Sequence, residues 1–108
     1  MDKLSPMGNN IHLIEVRQAE TYARWFKALR DHNAKGRIDI RIRRVSLGNF
    51  RDVKAVGEGV WELRVDYGPG YRIYYMHRGA QIVILLYGGD KRTQLQDIKR
   101  ARMLAETV

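Results

Sequence analysis

At 108 residues, 44% of them hydrophobic, the chain can build one compact core and is too short for two domains. It has no cysteine, which excludes disulfides and cysteine-ligated zinc and fits a reducing, cytoplasmic setting. Twenty Lys and Arg against twelve Asp and Glu give a net charge of +8, which favours polyanionic partners, nucleic acid first; the longest apolar run, 82–87, is far too short for a membrane span, so no membrane partner is expected.

Residues 1–10 are polar, contain Pro6, Gly8, Asn9 and Asn10, and read as a flexible end ahead of a single domain over 11–108. A first strand is predicted over 11–16. Tyr22, Trp25, Phe26 and Leu29 recur at i, i+3, i+4, i+7, one face of a helix. Asp31-His32-Asn33 breaks it, and Asn33 is placed to cap a second helix. The stretch 36–47 fits two periods. Ile38, Ile40 and Ile42 alternate as in a strand, while Ile38, Ile42 and Val45 fall on one helical face. Gly48-Asn49 is a stop signal that suits a helix end.

Short strands and tight turns follow. A strand over 52–56 turns at Gly57-Glu58-Gly59 into 60–66, where Trp61, Leu63 and Val65 form one face and Glu62, Arg64 and Asp66 the other. Gly68-Pro69-Gly70 is a turn, because proline presets φ and glycine permits positive φ. Strands over 71–77 and 81–87 come next, the second apolar throughout and so placed at the sheet centre, buried on both faces. A loop over 88–92 leads to a helix with a capping box at Thr93 and Gln96 and an apolar stripe of Leu95, Ile98, Ala101 and Leu104. The order implies an α+β fold, with helices against one side of a mainly antiparallel sheet.

Residues 48–98 also carry a resemblance. Gly48-Asn49-Phe50, Asp52-Val53-Lys54, Glu62-Leu63-Arg64, the run from Gly68 through Tyr75, Gly88-Gly89-Asp90-Lys91, Gln94 and Asp97-Ile98 follow in order. Upstream, Trp25-Phe26 and the run from Ile38 to Arg44 join them. This string resembles the phage-derived, Gp49-like and HigB-like branch of the RelE superfamily of type II toxins. The resemblance implies a RelE-like fold, with two N-terminal helices and a C-terminal helix on a curved sheet of four to five strands, and so favours helix over 36–47. It implies a toxin that acts as an mRNA endoribonuclease, usually in the ribosomal A site, without a metal or other cofactor. Its partners would be the ribosome, mRNA and a helix-turn-helix, HigA-like antitoxin.

Cleaving RNA without a metal requires an aligned 2′-hydroxyl, a base, an acid and neutralisation of the transition-state charge. Arg64 is the first candidate: it points away from the Trp61, Leu63 and Val65 core, and its fork can hold two phosphate oxygens. An ion pair with Glu62 or Asp66 is its alternative. Arg72 lies across the hairpin from Arg64, with a pair to Asp66 as its alternative. The resemblance adds Lys54 near the 2′-hydroxyl, Lys91 from the Gly-Asp-Lys string and Arg92 at the basic position of the RelE branch. Asp90 orients or caps. Lys35, Arg37, Arg41, Arg43, Arg44 and Arg51, with Lys54, stand against only Asp39 and Asp52, net +5 over 35–54. Such a helix face can grip ribosomal RNA or be merely solvated.

The chain departs from its relatives at 95–98. Where the RelE branch has a base-stacking tyrosine and others a histidine, Leu95, Gln96, Asp97 and Ile98 stand. This leaves the acid and base open, with Tyr74, Tyr75 or Tyr87 as substitute stacking residues. His12, His32 and His77 are scattered and read as structural or surface residues. Two other functions stay open: a same-fold ParE-like toxin of DNA gyrase, and a non-catalytic RNA-binding module.

Overall fold

The structure, a computed structural model, describes residues 13–108, so the expected N-terminal end, the start of the first strand and His12 lie outside the described residues. Strand β1 (Glu15–Gln18) is followed by helices α1 (Glu20–Ala28) and α2 (His32–Ser46). Strands β2 (Val53–Gly57), β3 (Val60–Val65), β4 (Tyr71–Arg78) and β5 (Ile82–Asp90) come next. A 3-10 turn (Lys91–Thr93) then leads into α3 (Gln94–Thr107). The five strands form one sheet in the order β1-β5-β4-β3-β2. It is antiparallel except where β1 runs parallel to β5.

The α1 stripe packs as its spacing predicts, with Tyr22 buried and Trp25, Phe26 and Leu29 against the same core. The ambiguous segment is helical. Ile38 and Val45 are buried and Ile42 partly so, whereas Ile40, the residue only the strand period needed, is 52% exposed. The cap is Asp31 rather than Asn33: its carboxylate accepts the amides of Asn33 and Ala34 at 3.0 and 3.1 Å. Gly48, at φ 86, ends the helix in the left-handed region.

Strand alternation sends side chains to two cores. Leu63, Val65, Ile73, Tyr75, Val83 and Leu85 face α1 and α2. Val60, Tyr74, Ile84 and Leu86 pack with Ala101 of α3. The helices therefore cover both faces of the sheet, not one. The unbroken apolar run of β5 is the cause, since it has buried residues of both parities to cover. β5 is an interior strand, but β4 holds the centre. The pairing of Tyr74 with Tyr87 and of Tyr75 with Leu85 leaves Leu86 as a bulge. Beyond it Gly88 lies under the Trp25 ring and Gly89 under the Asp97 carboxylate, so the expected loop is in fact strand as far as Asp90.

The capping box at Thr93 does not form. The Thr93 hydroxyl donates to Asp97 at 2.6 Å instead, and Asp90 caps the 3-10 turn by accepting the Arg92 amide at 2.8 Å. Leu95 drops out of the α3 stripe, being 79% exposed, while Ile98, Ala101 and Leu104 pack on the sheet. No helix among the described residues is long and apolar enough to cross a membrane.

Candidate nucleic-acid interface

The hairpin of β3 and β4 brings two arginines together. Arg64 and Arg72 are directly paired in register, which puts both side chains on the α3 face of the sheet. Gly70, at φ 81, closes the turn between the strands, its Cα so placed that a Cβ would stand 3.6 Å from the Lys91 Cβ. Arg64, Arg72 and Lys91 thus line one open cavity of about 340 Å³, together with Asp52, Asp66 and the Gly68-Pro69-Gly70 turn. Arg64 is half-buried and its Nε lies 3.4 Å from Glu62. The Nε of Arg72 is buried and has no hydrogen-bond partner.

The other two candidates for chemistry sit apart. Lys54 is exposed on β2, paired in register with Glu62, one rung along the same face. Arg92 is turned onto Asp90 at 2.8 Å and 81% exposed; that pair holds the Asp90 carboxyl below its usual range. Neither lines the cavity.

The basic helix divides into separate tasks. Arg37, Arg41 and Arg44, spaced i, i+4, i+7, line a second cavity of about 400 Å³ with Ile40, Val65 and Asp66. Arg37 lies 4.6 Å from the centroid of the Tyr67 ring. Arg41 is not a free surface residue: its guanidinium donates to the carbonyls of Arg64 and Arg51 and pins α2 to the end of β3. Lys35 turns the other way, donating to the Lys27 carbonyl at 3.3 Å and covering the Phe26 ring. Arg43, Arg44 and Arg51 are exposed. The two cavities share Val65 and Asp66, so the α2 arginines and the hairpin cluster meet at the end of β3.

Two buried carboxyls lie beneath this surface, and sequence reading missed both. Glu62 is fully buried and accepts from the Tyr74 hydroxyl at 3.1 Å and the Gln94 amide at 2.8 Å. Asp97 is 7% exposed, and burial raises its carboxyl pKa against the Thr93 hydrogen bond. Alternation assigned Glu62 its face; the cover supplied by α3 had no local signal. Tyr74 and Tyr75 are buried and have no free ring face for a base, whereas Tyr87 is partly exposed with Arg100 at 5.1 Å. His77 packs with Phe50, Tyr75 and Trp61, and His32 begins α2. Among the described residues, no three His, Asp or Glu side chains come together in a metal-holding group.

Comparison with known proteins places the chain in a family. The chain is similar to a Haemophilus influenzae protein described as an uncharacterized protein, 45% identical over 93 residues that span 86% of this chain and 94% of the relative. The family described as "Phage derived protein Gp49-like" matches residues 24–106, which include α2, the hairpin arginines and all of α3 but its last residue. The chain belongs to the phage-derived Gp49-like family.

Proposed function

We propose that the protein is the toxin of a type II toxin–antitoxin pair, an endoribonuclease that cuts messenger RNA on the ribosome without a metal ion. The observation that carries this reading is the in-register pair Arg64 and Arg72 beside Lys91. Like charges directly opposed on a sheet repel. A phosphodiester held by the two guanidinium groups relieves that repulsion.

The chemistry is transesterification. The 2′-oxygen gives up its proton and bonds to phosphorus. The bond to the 5′-oxygen breaks and that oxygen takes a proton, leaving a 2′,3′-cyclic phosphate and a 5′-hydroxyl. Arg64 and Arg72 neutralise the charge that builds on the phosphoryl oxygens. Of the residues lining the cavity, Asp52 and Asp66 can accept the first proton and Lys91 can supply the second. Lys54 extends the positive face along the RNA. Arg92, already neutralised by Asp90, contributes least of the five. A helix-turn-helix antitoxin and the ribosome are the proposed partners, in the cytoplasm.

Primer extension on translated mRNA tests the reading. Cuts within codons are expected, and Arg64→Ala should lose roughly 10²–10³ in rate. Cleavage should survive chelation, read on a ribosome-free substrate if one is cut and otherwise by titrating Mg²⁺ down to the level that intact ribosomes need. Gyrase-linked DNA damage without RNA cuts would replace this reading with the ParE-like one. One observation favours a non-catalytic RNA-binding module: the cavity lining contains no imidazole. Tight RNA binding with no cuts would establish that alternative.

A further inference from the structure

Glu62 has no exposed surface, although it lies among cations at a basic interface. A carboxylate buried this way is costly unless its oxygens are all used, and an apolar residue would serve the fold as well or better. Its oxygens divide their partners. Oε2 accepts from the Tyr74 hydroxyl, which sits in register on β4, and from the side-chain amide of Gln94. Oε1 faces the Nε of Arg64 at 3.4 Å. Gln94 is the first residue of α3 and directly follows the turn that carries Lys91. One buried carboxylate therefore touches both arms of the phosphate cavity: the Arg64 guanidinium and the root of the Lys91 segment.

We infer that Glu62 is a positioning residue: through the Nε of Arg64 and the side chain of Gln94 it fixes Arg64 and the Lys91 turn relative to one another, so that both cations meet the same phosphate. The inference rests on the proposed RNA-cleaving role of that cavity and deepens it. Repulsion from Arg72 tends to swing Arg64 out of the site. Holding Arg64 by its Nε edge opposes that swing and leaves the two terminal nitrogens for the ligand.

The test uses the 15N-labelled full-length chain and reads solvent exchange of the Arg64 Nε proton, assigned by its loss in Arg64→Lys. Exchange in the wild type should be roughly tenfold slower than for exposed Arg43, since it is tied to a buried acceptor. Glu62→Gln should bring it close to the Arg43 rate. The same variant should lower single-turnover cleavage roughly 10- to 100-fold through misalignment, with affinity for a 2′-O-methyl RNA oligonucleotide unchanged. Gln94→Ala should slow cleavage while leaving the Arg64 proton protected, and it keeps the test decisive if Glu62→Gln fails to fold. An Arg64 proton that exchanges like that of Arg43 in the wild type, or is unmoved by Glu62→Gln, would overturn the inference. So would an equal loss of affinity and rate. If the wild type cuts no RNA, the nuclease reading falls, and the exchange rates alone decide the role of Glu62.

Discussion

Arg64 and Arg72 oppose each other on one face of an antiparallel pair, with the Arg72 Nε buried and unpartnered. Both features weaken the free protein. Arg72→Gln should therefore stabilise it at low salt by about 0.2–1 kcal/mol while weakening RNA binding. Thermal unfolding at two ionic strengths checks this: the gain should shrink as salt screens the pair, and no gain at low salt would mean that the charges are already compensated. Asp97 gives a pH-dependent counterpart. Burial raises its folded-state pKa above the unfolded value, so the folded protein binds that proton more tightly and loses stability as pH rises through the folded pKa. Asp97→Asn, which still offers Thr93 an acceptor, should be more stable than wild type at pH 7, and the advantage should vanish below about pH 4. A constant advantage in denaturation measured across that range would assign it to packing. Arg64 and Arg72 were legible in the sequence because alternation gives the face and the hairpin gives the neighbour. Glu62 and Asp97 were not, because alternation cannot say whether a helix later covers that face.

The turn residues and helix ends divide in the same way between local and non-local causes. Strands β2 to β4 followed from short strand patterns set off by Gly and Pro turns, and β5 from its unbroken apolar run, although it continues to Asp90, past the expected end at 87. For α2 both periods fitted, and only the burial of Ile38 and Val45 with Ile40 left in solvent separated them. The Thr93 capping box failed because Asp97, buried over Gly89, took the hydroxyl. That close approach needs glycine. A Cβ at Gly88 would fall on the Trp25 ring and one at Gly89 on the Asp97 carboxylate. Either Gly→Ala change should destabilise by about 1–3 kcal/mol through overpacking. Gly36 is the internal comparison: it lies within α2 and a Cβ there meets nothing within 4 Å. Gly36→Ala should stabilise by about 0.5–1 kcal/mol, as expected in an exposed helix interior. Chemical denaturation of the three variants should order Gly36→Ala above wild type, with the two strand variants below. Equal stability of Gly89→Ala and wild type would show that α3 can shift to make room.

Across the described residues, part of the basic charge gathers at the end of β3. The sequence set the basic helix apart from the strand arginines, because 35–47 and 64–72 are distant along the chain. The fold joins them at Val65 and Asp66, which line both cavities, so Arg37, Arg41 and Arg44 continue the surface begun by Arg64, Arg72 and Lys91. An RNA strand that places one phosphate in the hairpin cavity can lay its neighbours along α2. Each phosphate neutralised on a single strand releases counterions and steepens the salt dependence of binding by about 0.7 in log–log slope. Arg37→Glu with Arg44→Glu should therefore flatten the slope by about 1.4 for a non-cleavable 2′-O-methyl oligonucleotide, and should leave the cleavage rate of fully bound RNA near wild type. Arg41 is excluded from this test because its guanidinium holds the carbonyls of Arg64 and Arg51, so its loss would disturb the fold as well as the charge. Arg43 is exposed but lines neither cavity, and Arg43→Glu should change the slope less than the double variant does. Binding measured at four salt concentrations decides the matter. A double variant with the wild-type slope would show that the α2 arginines are only solvated and that the RNA path leaves the hairpin cavity in another direction.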